Sequence, residues 1–425
     1  MPDADEYVRI PPGRLVAREG RYQLRVTNEL EEAVFLDRLQ LVAVDHPVNT
    51  DIYPNEGLRS PAAAAPFQLY TVQGARAPTR ATDHLGRDVR DRLLHADRRY
   101  VDGFPLEPVQ GYAQAHSLTL AWDAPAPNAR TVLLLEGWTD YAFSSDNVAA
   151  HQAGLVFQPP ALQLRNEAGD WQTVVSEIGI PVGRPQTIAI DLTDVLAARN
   201  HRPGASSGRT ASRDRAAQSV EVRIVTTLRV YWDRIQVATS APSDYRLSRL
   251  DPQEAYLRQR GFSAVKNPGA APLTFDYHQT VPESPWKTMP GRYTREGDVM
   301  ALLLATDDRY VISAPGDEIA VSFAAPALTP LPPGWTRTYL LYSDGFSKEM
   351  NMHSSSPDRL EPLPFHGMSD YPYPPSEHYP RTPEHDRYRA EYNTRVIGGP
   401  LPALERILLP RPAARPDPAN LKRCQ

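Results

Sequence analysis

Two short segments carry most of the side chains in this sequence whose types could do chemistry. The first, 137–147 (GWTDYAFSSDN), sets Trp138 and Tyr141 among Asp140, Ser145, Asp146 and Asn147. Such a mixture suits a saccharide, because a ring stacks on the apolar face of a sugar while carboxylates, hydroxyls and amides hold its hydroxyls. The segment also reads as an ordered loop, with Trp138 and Tyr141 in a core and Asp140 and Ser145 tying the turn. A third reading gives calcium to Asp140 and Asp146, although that ion wants about six to eight oxygens. The second segment, 342–349 (YSDGFSKE), reads as an Asp-Gly turn that ends an apolar strand, with Asp344 in the turn and Lys348 near it. They could form a local ion pair, worth little if exposed. Asp140 and Asp344 together could serve as the acid and base of glycoside cleavage, which needs carboxyl groups roughly 5 to 9.5 Å apart.

Other catalytic signatures are sparse. The sequence has no phosphate-binding GxxxxGK[ST] loop, no GxGxxG, no HExxH and no DxDxDG loop. One GxSxG match, 204–208 (GASSG), lies in a polar stretch without the strand before it and helix after it that a nucleophile elbow requires. The eleven histidines are scattered, and His378 and His385 stand seven apart in a proline-rich stretch where spacing fixes no geometry. Trp232, Asp233 and Arg234 follow an alternating run and read as a binding rim or as half-buried packing. No metal site and no cofactor are expected beyond the calcium reading.

The elements that must position these residues read as strands. Among 425 residues there are 43 prolines, and proline inside a helix removes a hydrogen bond and clashes with the preceding turn. Short apolar runs bounded by Pro, Gly, Asn or Asp dominate instead. Segment 21–26 (RYQLRV) alternates, and 33–44 (AVFLDRLQLVAV) gives two strand-like halves. Segments 67–72, 117–122 and 131–136 follow; the last, TVLLLE, is apolar almost throughout, as a strand covered on both faces should be. A hairpin is expected from 161–164 and 171–175, then strands at 186–192, 220–226, 228–232 and 234–237. Further strands are expected at 271–277, 310–313, 318–323 and 337–342, with a Pro-Gly-Asp turn at 315–317. Two short helices are expected, at 83–97 and at 297–308 with Asp298 as N-cap.

This pattern predicts a mainly β protein of two β-sandwich domains of jelly-roll, galactose-binding-like type with a Pro/Tyr-rich C-terminal strap. The expected order is an N-terminal tail (1–14), a first sandwich (15–245) with a flexible loop at 200–219, and a second sandwich (250–350). The strap (351–399), whose tyrosines would dock on the sandwiches, and a disordered tail (400–425) complete it. A net charge of −5 argues against a nucleic-acid footprint. Cys424 stands alone, so no disulfide can form within the chain, and no apolar run is long enough for a membrane span. The acidic, polar start is not a secretory signal.

Seven segments together carry a resemblance: 26–47 (VTNELEEAVFLDRLQLVAVDHP), 134–150 (LLEGWTDYAFSSDNVAA), 177–193 (EIGIPVGRPQTIAIDLT), 222–237 (VRIVTTLRVYWDRIQV), 290–299 (PGRYTREGDV), 315–323 (PGDEIAVSF) and 340–351 (LLYSDGFSKEMN). They resemble the C-terminal region of bacterial FG-GAP repeat proteins with an ASPIC/UnbV domain, relatives of the cartilage acidic protein group. The resemblance covers about residues 20 to 395. It implies an exported or cell-surface protein used for binding or adhesion, in which a calcium-decorated propeller precedes a region like this one. The chain carries neither the propeller repeats nor a signal, so it is either a fragment or a module that stands alone. No active site is carried over. The leading expectation is a non-catalytic binding module meeting a glycan or protein partner. The alternatives are a carbohydrate hydrolase using Asp140 and Asp344, and a structural spacer.

Overall fold

The computed structural model describes residues 6–63, 66–123, 130–166, 168–200, 219–240, 244–267, 272–351 and 359–398. The fold is mainly β, of the sandwich class. Its contacts divide the chain into two units. Unit 1 comprises Met1–Val44, Leu247–Pro332 and Arg337–Gln425; unit 2 comprises Asp45–Arg246 and Pro333–Thr336. This corrects the sequential order of sandwiches expected above: the first segment belongs with the last, and the other sandwich is inserted between them. A boundary read along the chain assumes continuity, whereas strand Arg21–Thr27 pairs with Asp317–Ala324.

In unit 1, one sheet runs Glu6–Arg9, Trp335–Glu349, Glu32–Pro47, Arg246–Leu250, with Val311–Ser313 also on Glu32–Pro47. The other runs Gly297–Asp298, Glu254–Gln259, Asp317–Ala324, Arg21–Thr27. Alternate residues of both enter one core: Ala33, Phe35, Leu39 and Leu41 from the first, Leu257, Ile319, Val321 and Phe323 from the second. Residues 6–9, expected in a tail, form an edge strand, with Glu6 opposite Ser343 and Arg9 opposite Leu340. The two halves expected at 33–44 are one strand of 16 residues.

In unit 2 the sheets are Trp171–Val175, Ala161–Arg165, Ser219–Leu228, Tyr112–Asp123, Arg80–Thr82, and Gln186–Asp191, Arg130–Thr139, Val230–Ser240, Leu69–Arg76, Asp51–Pro54. Leu120, Leu162 and Val222 meet Leu133, Leu135 and Ile235 in the core between them. The apolar run at 131–136 is accounted for by a second cluster: Val132 and Leu134 face Tyr53, Tyr70 and Val72 on the sheet's other side. The expected hairpin forms, with Trp171 opposite Arg165. The strands expected at 228–232 and 234–237 are one strand, bulged between Trp232 and Arg234.

Helices differ from expectation. Within 83–97 there is only the 3-10 turn Arg90–Leu93, because the Asp83 carboxylate accepts the backbone N–H groups of Leu85 and Arg87 and competes with a helix. Within 297–308 the helix shrinks to the 3-10 turn Met300–Leu303, whose N-cap is Val299 rather than Asp298; the Asp298 carboxylate accepts the Met300 N–H at 3.0 Å. The true helices are α1 (Ser144–Gln152), α2 (Thr193–Asn200) and α3 (Pro383–Glu391).

The described part of the strap docks on unit 1. Leu360, Leu363, Phe365, Tyr371, Tyr379 and Tyr388 are buried, each contributing about 1.5–3 kcal/mol of apolar transfer. The tyrosines keep their hydroxyls bonded, as Tyr388 does to the Tyr310 carbonyl at 2.7 Å. Arg395 closes the strap with a two-pronged pair to the buried Asp317. The GxSxG match, the loop core at 201–218, Cys424 and the tail at 400–425 lie outside the described residues.

Candidate functional site

Two places in unit 1 gather chemistry. The first begins with Asp37. It interrupts the core-facing row Ala33, Phe35, Leu39, Leu41, so strand periodicity carries a carboxylate into an apolar core. It is 0 % exposed. Its Oδ2 accepts the backbone N–H groups of Asp307 and Asp308 at 2.9 and 2.8 Å. Its Oδ1 is buried with no hydrogen-bond partner among the described residues. Burial pushes the Asp37 carboxyl up to about 7, against those two N–H groups.

The turn that supplies the N–H groups holds Asp308 at φ +63°, the left-handed region that Asp tolerates better than most residues. This aims the Asp308 carboxylate at the strap, where Oδ1 accepts from the Tyr310 hydroxyl (2.7 Å) and the His366 backbone N–H (2.9 Å) and lies 2.7 Å from His366 Nδ1. The other ring nitrogen, Nε2, lies 2.9 Å from Asp344 Oδ1. Asp344 Oδ2 accepts from Thr306 Oγ1 at 2.6 Å and the Tyr342 hydroxyl at 3.1 Å. Burial works against the ionised forms of Asp308 and Asp344, but the hydrogen bonds from His366 and the hydroxyls hold both below the usual carboxylate range. Phe346 packs on the imidazole, ring centroids 5.0 Å apart. Asp37, Asp308 and His366 form the group whose ligand atoms all lie within 4.8 Å of one another, among the described residues.

Asp344 reaches this place because 342–349 continues the strand Trp335–Glu349 rather than turning. Gly345 permits it: with φ +151°, a Cβ there would run into the Phe35 carbonyl oxygen. The expected pair of Asp344 with Lys348 is replaced. Asp344 faces His366, while Lys348 is buried, donates to the Arg359 carbonyl and lies 5.5 Å from the Tyr371 ring centroid. Both residues therefore bind strap rather than each other.

The second place is the outer face of the other sheet. Registration sets Asp298, Tyr256, Ala320 and Arg25 in one row, and Glu254, Ser322 and Gln23 in the next. Small residues on the middle strand form a floor between longer ones, leaving a shallow groove open to solvent, with Met300 and Gln253 also on its lining. Tyr256 is 59 % exposed there.

Segment 137–147 in unit 2 is otherwise occupied. Trp138 is 4 % exposed and stacks on Tyr231 at 5.0 Å, its Nε1 buried without an acceptor among the described residues. Asp140 Oδ2 lies 3.2 Å from Arg229 Nη1. Tyr141 packs on Phe143. Ser145, Asp146 and Asn147 lie in α1 rather than in a loop. Asp146 accepts the Phe143 N–H at 2.9 Å and so caps that helix, and Asn147 accepts the Tyr112 hydroxyl at 2.9 Å. The carboxylates offered to calcium thus face a guanidinium and a helix end. Asp140 and Asp344 lie in different units, each within its own set of partners. Trp232 and Asp233 are packing: Trp232 is buried, and Asp233 accepts the N–H groups of Asp97 and Arg98.

Asp37 had a readable signal, a lone acid inside a 12-residue apolar run. Asp308 and His366 had none, since the contacts that join them to Asp344, to each other and to Asp37 span 22, 58 and 271 residues. The groove residues read only as the polar half of alternating strands. Comparison of the chain with protein-family models, with curated proteins and with solved structures finds no match.

Proposed function

We propose that this chain is a non-catalytic binding module, taking a saccharide in the groove across the outer sheet of unit 1. What carries the reading is the row Asp298, Tyr256, Ala320, Arg25 with Ser322 and Gln23 beside it. The exposed Tyr256 ring offers a face for the apolar side of a sugar, and Ala320 leaves room for it to lie flat. Arg25, Gln23, Ser322 and Asp298 offer donors and acceptors at hydroxyl height on both flanks. The groove is shallow and open, which fits holding a chain of sugars rather than enclosing a reaction. The resemblance to the C-terminal region of FG-GAP and ASPIC/UnbV proteins adds the setting: a module of an exported or surface protein, with jelly-roll, galactose-binding-like sandwiches.

The test is a glycan array with the full chain, followed by calorimetry on any hit. Binding should fall by about tenfold or more in Tyr256→Ala and in Arg25→Ala, each being roughly 1–2 kcal/mol of contact. Wild-type chain that binds no glycan, or binding that survives both changes, would refute the groove and leave a spacer role. Bond cleavage on the same glycans would refute the non-catalytic reading.

A further inference from the structure

We propose that Asp37, Asp308 and His366 bind one divalent first-row transition cation, with Asp344 orienting the histidine. The argument starts from Asp37. A fully buried carboxylate oxygen without a hydrogen-bond donor is costly, and Asp37 Oδ1 is one, among the described residues. Its other oxygen is fixed by two backbone N–H groups, so the side chain cannot turn away from the cluster.

The donor set is complementary to a metal. Ligands about 2.1 Å from a tetrahedral centre stand ~3.4 Å apart. His366 Nδ1 lies 3.6 Å from Asp37 Oδ2 and 2.7 Å from Asp308 Oδ1, and the three ligand atoms lie within 4.8 Å of one another. Small movements of the partly exposed Asp308 and His366 side chains bring them into range, and binding releases to solvent the proton held between Nδ1 and Asp308. The remaining position goes to water, which the partly exposed His366 and Asp308 admit.

The ring's far side supports this. Metal-ligating histidines almost always donate their second N–H to a carboxylate or carbonyl, which fixes the tautomer. His366 Nε2 lies 2.9 Å from Asp344 Oδ1, and Asp344 is itself held by Thr306 and Tyr342. That chain of contacts presents Nδ1, not Nε2, to the carboxylates. Asp307 and Asp344 add negative charge around the three ligands, against which stands Arg309, paired with Asp307 at 2.9 Å. One imidazole with two carboxylates favours Zn²⁺, Mn²⁺ or Fe²⁺ over Ca²⁺, which prefers a shell of oxygens. Bound there, the ion would tie together three points distant in sequence and fasten the strap segment carrying His366.

The experiment uses the full chain stripped with EDTA, dialysed separately against Zn²⁺, Mn²⁺ and Ca²⁺, then read by elemental analysis and thermal unfolding. About one Zn²⁺ or Mn²⁺ per chain with a raised midpoint is expected, and no stoichiometric Ca²⁺. Asp344→Asn should weaken binding about 10- to 100-fold while leaving the ligands in place. Asp37→Asn should abolish it; should that variant fail to fold, His366→Gln makes the same comparison. Co²⁺ should give a visible absorption band in the wild type that His366→Gln loses. Wild-type chain without a stoichiometric ion, preference for Ca²⁺, or Asp37→Asn and His366→Gln binding as tightly as wild type would overturn the proposal.

Discussion

Asp344 in unit 1 and Asp140 in unit 2 look alike in the sequence: each follows an apolar run and stands beside aromatics and serines. Their surroundings differ in kind. Asp140 meets Arg229, whose guanidinium also donates to the carbonyls of Tyr112, Glu107 and Val109. There the arginine is the staple and the carboxylate is one of its several acceptors. Asp344 instead meets His366, a single imidazole set between two carboxylates. There the histidine is the staple, one ring nitrogen toward each carboxylate. The difference is instructive: a fixed guanidinium makes a contact insensitive to mild acid, whereas a histidine makes one that protons or a metal can remodel.

The largest expected effect tests that reversal of roles. His366→Ala leaves Asp308 and Asp344 without their shared partner and should destabilise unit 1 by about 3 kcal/mol or more. Arg229→Met should come next, at about 2–3 kcal/mol, because three carbonyls and Asp140 lose a donor together. Hydrogen exchange read segment by segment should place each loss in its own unit. If Arg229→Met loosens nothing around 107–112, the staple reading fails.

A third prediction uses acid to separate the units. His116 in unit 2 is pushed down to about 4, by burial first, with its ring stacked on Phe104 at 4.2 Å. A histidine depressed in the folded state contributes stability above the unfolded value of 6.5 and loses it as pH falls toward 4. Unit 2 should therefore lose up to about 3 kcal/mol across that window, and His116→Phe should flatten the loss. Asp308 and Asp344 are depressed carboxylates, so their stabilisation persists until pH drops below the ordinary carboxylate range. Metal-free chain should thus soften in unit 2 before unit 1, and the opposite order would break the comparison. The smallest effect belongs to Asp140→Asn, at most about 1 kcal/mol, since Arg229 keeps its carbonyls. Asp344→Asn should exceed it; equality would erase the distinction.

Much of this was open to a reader of the sequence. Alternation of RYQLRV and EIAVSF, the doubly covered TVLLLE and the Pro-Gly-Asp turn, where Gly316 has φ +86°, are local properties, and local sterics and burial enforce them. The strap's tyrosines could likewise be expected to dock, being too apolar to leave in water yet spaced by prolines that forbid a strand. The site was less legible. Trp138 and Asp140 drew attention because they are close in sequence, yet they serve packing and a staple. Tyr256 and Arg25 form a groove only because both pair opposite Ala320.

The sequence alone decided most of the long strands and which face of each is apolar, because a period of two is written in neighbours. Tertiary structure alone decided that one sandwich is inserted into another, that Asp37 meets Asp308 across 271 residues, and that Asp344 meets a histidine rather than Lys348. Those choices follow from the burial of whole sheets at once: strands pair where their summed apolar faces close a core, and a polar side chain takes whatever partner that closure brings within reach.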